Sequence, residues 1–460
     1  MAENGTARGR KWYAYVCTAA SEPWFNGAAY LDALNPEAVR RFLALTYERY
    51  RNTVGDRFGK CIPAVFTDEP QLVRKQPLRF PQDTGGAVLP WTCDLPESYY
   101  AQYHEDLISH IPELVWDLPD GQISRGRYRY HDHVAARFAQ AFMGQCGAWC
   151  EENGLCYTGH MMMEGELGTQ FLFGGEVMRA YSAFQLPGID MLCDYVELTT
   201  DKQAQSAVRQ YGREGMLSEL YGVTNWDFDF RGHKFQGDWQ AALGVTVRVP
   251  HLAWASMAGE AKRDYPASIH FQSPWYREYP YIEDHFARLN TVLTRGKAVV
   301  RVGVIHPMES YWLHWGPARA ADALLERLES RFQNLTRWLC MSCADFDFIC
   351  EAQLPELCGQ GTAPLRVGEM AYDVIIVPAC ETLRRTTVER LEAFRRQGGK
   401  LIFLGEAPRY MDAVESAVPR ALYTRGTALP FEETAVLEAL EPYCYLKLEH
   451  PDGSRVGNFV

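Results

Sequence analysis

Two glutamates in this sequence stand at the ends of short apolar runs, where a parallel sheet would expose them. Glu69 follows the run at residues 62–66, and Glu219 closes the run at residues 215–219. In parallel α/β folds the functional side chains lie at the carboxyl ends of the strands. Carboxyl groups at that edge can donate or accept protons during catalysis. Four further acidic residues follow predicted strands in the same way: Glu164, Glu166, Asp194 and Glu197.

Paired carboxyl groups beside aromatic residues match the requirements of glycoside hydrolysis. One carboxyl group protonates the leaving oxygen, the other attacks the sugar or activates water, and aromatic faces stack on the ring. The general acid must keep its proton near neutral pH, and Asp68 would raise the pKa of the adjacent Glu69 by charge repulsion. We therefore predict Glu69 and Glu219 as a catalytic pair, the alternative being carboxylates in structural salt bridges. The aromatic candidates are Tyr157, Tyr195, Tyr221, Trp226 and Trp254.

Two histidines also end predicted strands, and each has two interpretations. His160 and His251 could bind sugar hydroxyl groups, or they could be hydrogen-bonded core residues. The run His131-Asp132-His133 has the residue types of a metal site. A helix is predicted to begin there, however, so Asp132 is interpreted as its N-cap.

The cysteines indicate neither a disulfide framework nor a zinc site. There are thirteen, an odd number without regular spacing. Cys340 and Cys343 have the C-x-x-C spacing, but no second pair follows, so packing is the preferred interpretation. Cys380 follows a predicted strand but lacks the Gly-x-Cys-x-Gly turn that would expose a nucleophilic thiol. We therefore predict no catalytic cysteine.

Composition limits the function classes. The chain has 460 residues, of which 47% are hydrophobic, and its net charge is −12. The negative charge disfavours general binding to nucleic acid or anionic membranes. No apolar stretch approaches the roughly 18 residues of a membrane span, and the N-terminus is polar. We expect a cytoplasmic globular protein of two or three domains.

The first part of the chain alternates apolar runs with amphipathic stretches, a pattern typical of parallel βα units. One helix is predicted from residue 36 to about residue 47, with Asn35 as its N-cap and Pro36 at the first helical position. A second helix is predicted at residues 132–153. The predicted strands are residues 12–16, 62–66, 155–160, 189–195, 215–219 and 245–251.

A domain boundary is predicted near Arg295, and a doubly wound α/β unit follows it. Six βα units do not close an eight-stranded barrel, so the chain is expected to be either a fragment or an open barrel. The last residues, 445–460, alternate as a hairpin does. The predicted elements of the second unit are strands at residues 298–305, 346–349, 373–377 and 400–404, and helices at residues 318–339 and 386–396.

Six motifs together resemble glycoside hydrolases of family 106, the α-L-rhamnosidases, and the resemblance covers about residues 11–460. Related barrel enzymes active on galactosides share this layout, so the sugar stays open. The motifs are Phe66-Thr67-Asp68-Glu69-Pro70, Ser218-Glu219-Leu220-Tyr221-Gly222, Asn225-Trp226-Asp227, Lys262-Arg263-Asp264-Tyr265-Pro266, Gln272-Ser273-Pro274-Trp275-Tyr276 and Val302-Gly303-Val304-Ile305-His306-Pro307.

The resemblance implies roles for the carboxylates. Glu69 would end barrel strand four as the general acid, and Glu219 would end strand seven as the base or nucleophile. Family 106 enzymes invert the anomeric centre and use calcium, which implies that Glu219 activates water and that Glu164 or another nearby carboxylate helps to hold the ion. The residues alone require no cofactor. The expected substrate-binding residues are Asp68, His160, Glu164, Tyr221, Trp226, Asp227, His251 and Trp254.

The resemblance also implies the architecture. Residues 1–295 would form an incomplete (β/α)8 TIM-barrel-type domain that starts near strand three. Residues 296–440 would form a glutamine-amidotransferase-like α/β domain with a structural role, and residues 441–460 would begin a β-rich segment. The expected partner is a carbohydrate, with a homo-oligomer left open. The alternatives are an inactive carbohydrate-binding remnant and a retaining β-galactosidase-like enzyme.

Overall fold

Five parallel strands in the first half of the chain stand next to one another in the order in which they occur in the sequence. The computed structural model describes residues 11–259, 269–454 and 456. Consecutive parallel order is the arrangement of strands in a barrel. Within the described residues the first and last of these strands each pair on one side only, so the sheet does not close. The strands are β1 Ala64–Thr67, β2 Cys156–Gly159, β3 Leu186–Met191, β4 Met216–Leu220 and β5 Val245–Pro250.

Five of the six strands predicted for this half are confirmed, and the prediction of a strand at residues 12–16 is wrong. Residues 11–20 form neither helix nor strand. Tyr13 and Tyr15 are exposed, and Trp12 packs edge-on against Trp116 with 4.8 Å between the ring centroids. Aromatic and β-branched residues favour strands only where a neighbouring strand and a buried face are present. This run has neither, and the sheet begins at β1.

The helix Pro36–Leu45 begins as the sequence predicts. The Asn35 side chain accepts hydrogen bonds from the backbone N–H groups of Glu37 and Ala38, and Pro36 occupies the first helical position. The helix therefore starts where its first N–H groups have a side-chain partner. Further helices of this half are Tyr47–Val54, Leu95–Tyr103, Leu107–Val115, Leu167–Phe173, Val177–Tyr181, Leu198–Gln210, Phe230–Ala242 and Pro280–Leu293.

The helix predicted at residues 132–153 begins earlier, at Arg125. Its N-cap is Ser124, whose hydroxyl accepts a hydrogen bond of 2.9 Å from the Arg127 N–H. It runs as Arg125–Phe138, a π-helical turn Ala139–Gly144 and Gln145–Glu152.

Asp132 is therefore not an N-cap, and that prediction is wrong. It is buried within the helix, and its Oδ1 lies 2.8 Å from Arg179 Nη2 and 2.5 Å from Arg384 Nη2. His131 packs among aromatic rings, whereas His133 hydrogen-bonds to side chains of the helix Leu95–Tyr103. The three side chains of this run do not converge on a metal site.

The second half contains another five-stranded parallel sheet. The strands are β6 Val302–Ile305, β7 Phe346–Ile349, β8 Val374–Pro378, β9 Lys400–Leu404 and β10 Thr427–Leu429. Their order in the sheet is β7-β6-β8-β9-β10, the 2-1-3-4-5 arrangement of doubly wound folds. The helices are Met308–Trp312, Ala318–Met341, Leu354–Leu357, Arg385–Arg396, Ala417–Arg425 and Glu433–Leu440.

Helices cover both faces of this second sheet, because alternate side chains of each strand point in opposite directions. In β8, Val374 and Ile376 lie in the cluster that includes the helix Ala318–Met341. The alternate residues, Ile375 and Val377, lie with the helix Arg385–Arg396. The first of these clusters also contains Phe171 from the first half. The two halves therefore share a core, and the division into residues 1–295, 296–440 and 441–460 stays a prediction.

A buried ion-pair network joins the two halves. Arg384 binds Asp132 of the first half and Glu309 of its own half. Arg179 binds Asp132 and Glu176. The charges in this network have been removed from water, so each depends on its partners for compensation.

The tail contains a turn in which His450 N–H donates to Ser454 O at 2.7 Å and Val456 N–H donates to Leu448 O at 3.0 Å. These bonds agree with the predicted hairpin over its described residues. None of the helices in the described part of the chain combines the length and apolar character needed to cross a membrane.

We expect Arg384→Met to lower the free energy of unfolding by about 3–5 kcal/mol, because Asp132 and Glu309 would lose a buried positive partner. Urea denaturation at pH 7 measures this change. Arg385 is the matched control, since its side chain is 63% exposed. Arg385→Met should change the free energy by no more than about 0.5 kcal/mol. Equal losses for the two variants would contradict the role assigned to the network.

Candidate active site

Glu219 and Asp190 lie side by side at the carboxyl edge of the first sheet. The register of β3 and β4 pairs Asp190 with Glu219. Paired residues of neighbouring parallel strands point to the same face, and the strands are about 4.8 Å apart. The sheet therefore presents two carboxyl groups next to each other.

His160 follows β2 and lies against Glu219. Its ring is fully buried, and Nε2 is 3.0 Å from Glu219 Oε2 and 3.6 Å from Asp68 Oδ1. The Phe66 ring contacts the imidazole edge-on, with 5.5 Å between centroids. His251 Nε2 is 3.9 Å from the other Glu219 oxygen. Glu219 therefore lies between two histidines.

Gly159 allows the strands to approach closely enough to place His160. Its φ is +122°, and a Cβ atom there would lie 1.9 Å from the Thr67 carbonyl oxygen. That oxygen also accepts a hydrogen bond of 3.2 Å from the His160 N–H. Only glycine fits this position, because any side chain would separate β1 from β2.

Glu69 and Asp68 follow β1 and complete the site. The Asp68 side chain is 73% exposed, whereas Glu69 is half-buried. Glu69 has a φ of +45°, a conformation that costs a non-glycine residue about 1–3 kcal/mol. Burial raises the pKa of Glu69, the charge of His160 opposes this, and Asp68 and Glu219 add to the increase.

The pKa of Glu219 is shifted in the opposite direction. Burial by itself would raise it, but the hydrogen bond from His160 and the charges of His160 and His251 lower the pKa overall. Burial likewise opposes the charged form of His160. The hydrogen bond to Glu219, together with nearby carboxylates, nevertheless raises the pKa of His160 to about 9. At neutral pH the site holds an imidazolium beside an ionised Glu219.

Two further carboxyl groups near His160 have raised pKa values. Burial, together with the charges of Glu219, Glu69 and Asp68, raises the pKa of Asp190 to about 7, against the opposing effect of His160. Burial raises the pKa of Glu164 to about 8. Glu164 is fully enclosed, and its Oε1 accepts a hydrogen bond of 3.0 Å from the Met161 N–H.

The structure brings Asp68, Glu69, His160, Glu219 and His251 together, as the sequence predicts, and leaves Tyr221 outside the site. Tyr221 is fully buried, and its hydroxyl donates to the His233 carbonyl at 3.0 Å. This tyrosine is part of the supporting core.

The remaining predicted binding residues lie on loops. Trp226 is half-buried and Asp227 exposed on the loop after β4, and Trp254 is half-buried after β5.

The other acidic candidates are placed less centrally. Asp194 is exposed, and Glu166 directly precedes the helix Leu167–Phe173. Glu197 Oε2 accepts a hydrogen bond of 3.0 Å from the Thr200 hydroxyl at the start of the helix Leu198–Gln210. No described contact connects these three carboxylates to His160 or Glu219.

Sequence reasoning missed Asp190. The strand was predicted to end at residue 195, so Asp194 was expected at its carboxyl end. The strand ends at Met191, so Asp190 lies at its carboxyl end. The sequence did contain a signal for Asp190, which is a single aspartate within an apolar run. Burying a carboxylate is costly unless it has a polar partner, so such a residue indicates a partner nearby in the fold.

Asp68, His160 and Glu219 are a potential metal-binding group in the described part of the chain, because one ligand atom from each lies within 4.8 Å of the other two. One imidazole and two carboxylates suit a transition metal better than calcium, which prefers a shell of oxygen ligands. Glu164, the carboxylate that the family resemblance suggested for calcium, is not in this group. The trio does not fit a calcium shell, and calcium binding stays a prediction.

The motif at residues 262–266 lies outside the described residues.

No known protein-family model matches the sequence, and the comparison with curated proteins found no relative.

Solved structures share the fold at low sequence identity. A rhamnosidase from Novosphingobium sp. PP1Y aligns with a TM-score of 0.65 and 18% identity over 90% of this chain and 39% of its own. A β-galactosidase from the haloarchaeon Halorubrum lacusprofundi aligns with a TM-score of 0.54 and 12% identity over 87% of this chain and 62% of its own. A β-galactosidase from Rahnella sp. R3 aligns with a TM-score of 0.53 and 14% identity over 83% of this chain and 56% of its own. The chain spans less than two thirds of each of these proteins.

The charge of His160 predicts a dependence of stability on pH. Its pKa is raised from an ordinary value of 6.5 to about 9. The stabilisation is therefore complete below pH 6.5 and is lost as the pH rises through 9. Between pH 6 and 10, we expect the native chain to lose about 3 kcal/mol more unfolding free energy than His160→Gln. Urea denaturation across this range measures the difference.

His270→Gln is the control for this experiment, because His270 is exposed, whereas His160 is buried. It should retain the pH dependence of the native chain. Parallel curves for His160→Gln and the native chain would show that His160 carries no extra charge in the fold.

Proposed function

We propose that this chain is a glycoside hydrolase in which Glu69 and Glu219 form the catalytic pair. The observation that carries the proposal is the opposite shift of two neighbouring carboxyl groups: the pKa of Glu69 is raised and that of Glu219 is lowered. Carboxyl groups whose surroundings separate their pKa values in this way can serve as acid and base at one pH.

In this proposal Glu69 protonates the oxygen of the leaving group. Its raised pKa favours the protonated form, and its place beside Asp68 keeps a second negative charge close. Glu219, held ionised by His160, acts on the opposite side of the sugar as base or nucleophile. His160 and His251 orient the Glu219 carboxylate, and His160 does so through a direct hydrogen bond of 3.0 Å.

The similarity to the rhamnosidase and the β-galactosidases supports the same reaction class. We propose an α-L-rhamnoside substrate and inversion of the anomeric centre, as the family 106 resemblance implies, with the retaining β-galactosidase reaction as the alternative. Inversion requires about 6.5–9.5 Å between the carboxyl groups and retention about 5–5.5 Å. Proton NMR of the first anomer released distinguishes the two.

We also propose that the first sheet is part of a (β/α)8 barrel and that the second half is a glutamine-amidotransferase-like unit without catalytic activity. The consecutive order of β1 to β5 supports the former. The 2-1-3-4-5 order of the second sheet and the burial of Cys380 support the latter.

A carbohydrate-binding protein without hydrolytic activity is the second candidate. The observation that favours it is that β1 and β5, within the described residues, each have one unpaired edge. Sugar binding with no turnover would identify this function.

We expect the chain to release the aryl group from aryl glycosides, in a panel that includes the α-L-rhamnoside and the β-D-galactoside. Glu69→Gln and Glu219→Gln should each lower kcat/KM about 100-fold or more, because each removes a proton-transfer or nucleophilic group. The loss for Glu69→Gln should be smaller with a dinitrophenyl leaving group, which departs without protonation.

The matched control is Glu214→Gln, an exposed carboxylate that precedes β4 at the other end of the same strand. Its kcat/KM should equal that of the native chain. Native turnover in either Glu69→Gln or Glu219→Gln would overturn the assignment of that residue.

We further expect a bell-shaped dependence of kcat/KM on pH. Activity should rise as Glu219 ionises, below the ordinary carboxyl range because its pKa is lowered. It should fall as Glu69 loses its proton, above that range because its pKa is raised. Glu69→Gln should remove the alkaline limb of the residual activity measured with the dinitrophenyl substrate. An unchanged alkaline limb would assign the acid role to another group.

A further inference from the structure

The loop at residues 160–166 carries both His160 and Glu164, and its backbone is bound by several parts of the chain. The His160 N–H donates to Thr67 O at 3.2 Å, and the Thr169 hydroxyl donates to Met163 O at 2.9 Å. Within the loop, the Glu164 side chain accepts a hydrogen bond of 3.0 Å from the Met161 N–H. The carbonyl groups of Glu164 and Gly165 are bound from outside the loop. The position of His160 therefore depends on its own bond to Thr67 and on what holds these two consecutive carbonyl groups.

Side chains from two other parts of the first half hold them in part. Gln203 Nε2 donates to Glu164 O at 3.0 Å, and Gln170 Nε2 donates to the same oxygen at 3.3 Å. The Thr199 hydroxyl donates to Gly165 O at 2.6 Å.

The second half supplies the remaining contacts. Gln333, on the helix Ala318–Met341, donates from Nε2 to Gly165 O at 2.7 Å. His306, directly after β6, has its Nε2 2.9 Å from Gln203 Oε1. An amide oxygen can only accept, so Nε2 carries the proton and fixes the orientation of the Gln203 amide. Gln203 then directs its own N–H to Glu164.

The loop has no room to shift towards the first half. A Cβ atom on Gly165 would lie 2.7 Å from Glu197 Oε2 and 3.3 Å from the Thr200 hydroxyl. On the opposite side lies the long helix, which binds Gly165 through Gln333 and the next helix through Glu329, whose carboxylate accepts a hydrogen bond of 3.2 Å from the Gly168 N–H. The loop is therefore enclosed between the helix Leu198–Gln210 and the long helix of the second half.

We propose that Gln333 and His306 are positioning residues for the active site, holding the loop of residues 160–166 so that His160 meets Glu219. This inference rests on the proposed function for its catalytic consequence. The second half of the chain thereby contributes to the site at a distance, without touching substrate. It does so by two hydrogen-bonded routes: Gln333 to Gly165 directly, and His306 to Glu164 through Gln203.

The first test is Gln333→Met, which keeps the length of the side chain and removes its amide. Small displacements of a catalytic group can lower rates on the order of 100-fold. We expect kcat on aryl glycosides to fall by about 10-fold to 100-fold with KM unchanged. Asn334→Met is the matched control, since Asn334 is the exposed neighbour on the same helix. It should keep native values of both constants.

The second readout does not depend on turnover. Imidazole NMR titration of the native chain, with His160 assigned by the loss of its signal in His160→Gln, should give a pKa of about 9. In Gln333→Met and in His306→Phe the pKa of His160 should be lower, because a displaced ring forms a weaker hydrogen bond with Glu219. A titration of His160 identical to that of the native chain in both folded variants would overturn the proposal.

A double-mutant cycle separates positioning from a general loss of stability. In a His160→Gln background, Gln333→Met should lower kcat by less than twofold, because the group it positions is already absent. The same tenfold or larger loss in both backgrounds would contradict the proposed route. If no aryl glycoside is hydrolysed by the native chain, the proposed function fails, while the NMR titration still tests the positioning of His160.

Discussion

The buried charge of His160 is the constraint on which the rest of the site depends. An imidazolium removed from water is stable only where carboxylates compensate it. Glu219 accepts a direct hydrogen bond from the imidazolium, and Asp190 and Asp68 lie near enough to contribute their charge. The same interaction keeps Glu219 ionised, and the positive charge restrains the pKa of Glu69. At Asp190 and Glu164 the same positive charge opposes the effect of burial, which nevertheless raises the pKa of both carboxyl groups.

The positioning of that ring requires both halves of the chain. Gly159 brings β1 and β2 close enough for His160 to reach Glu219, and the loop that follows is held partly by Gln333 of the second half. The buried pairs of Arg384 with Asp132 and Glu309 attach the halves elsewhere. The second half of the chain therefore helps to hold the site in place, even though its own Cys380 is buried.

Several residues at the carboxyl edge of the first sheet have unfavourable backbone conformations. Glu69, Tyr221 and Val223 all have positive φ angles within the first three residues after strands of that edge. Such conformations cost free energy and persist where surrounding contacts fix them. Tyr221 is fixed by its buried hydroxyl bond to the following helix. These residues hold the ends of β1 and β4, from which Glu69 and Glu219 reach the site.

The sequence by itself determined five strands of the first sheet and the positions of Glu69 and Glu219, because apolar runs and their polar ends are local patterns. The strand predicted at residues 12–16 is wrong, because these residues have no neighbouring strand to pair with. Asp190 was missed, because its place in the site follows from its register with Glu219 on the next strand. The charge state of the site and the contribution of the second half were decided only by the tertiary structure. Burial and electrostatic interactions act through space, between residues such as His160 and Glu219 that are far apart along the chain.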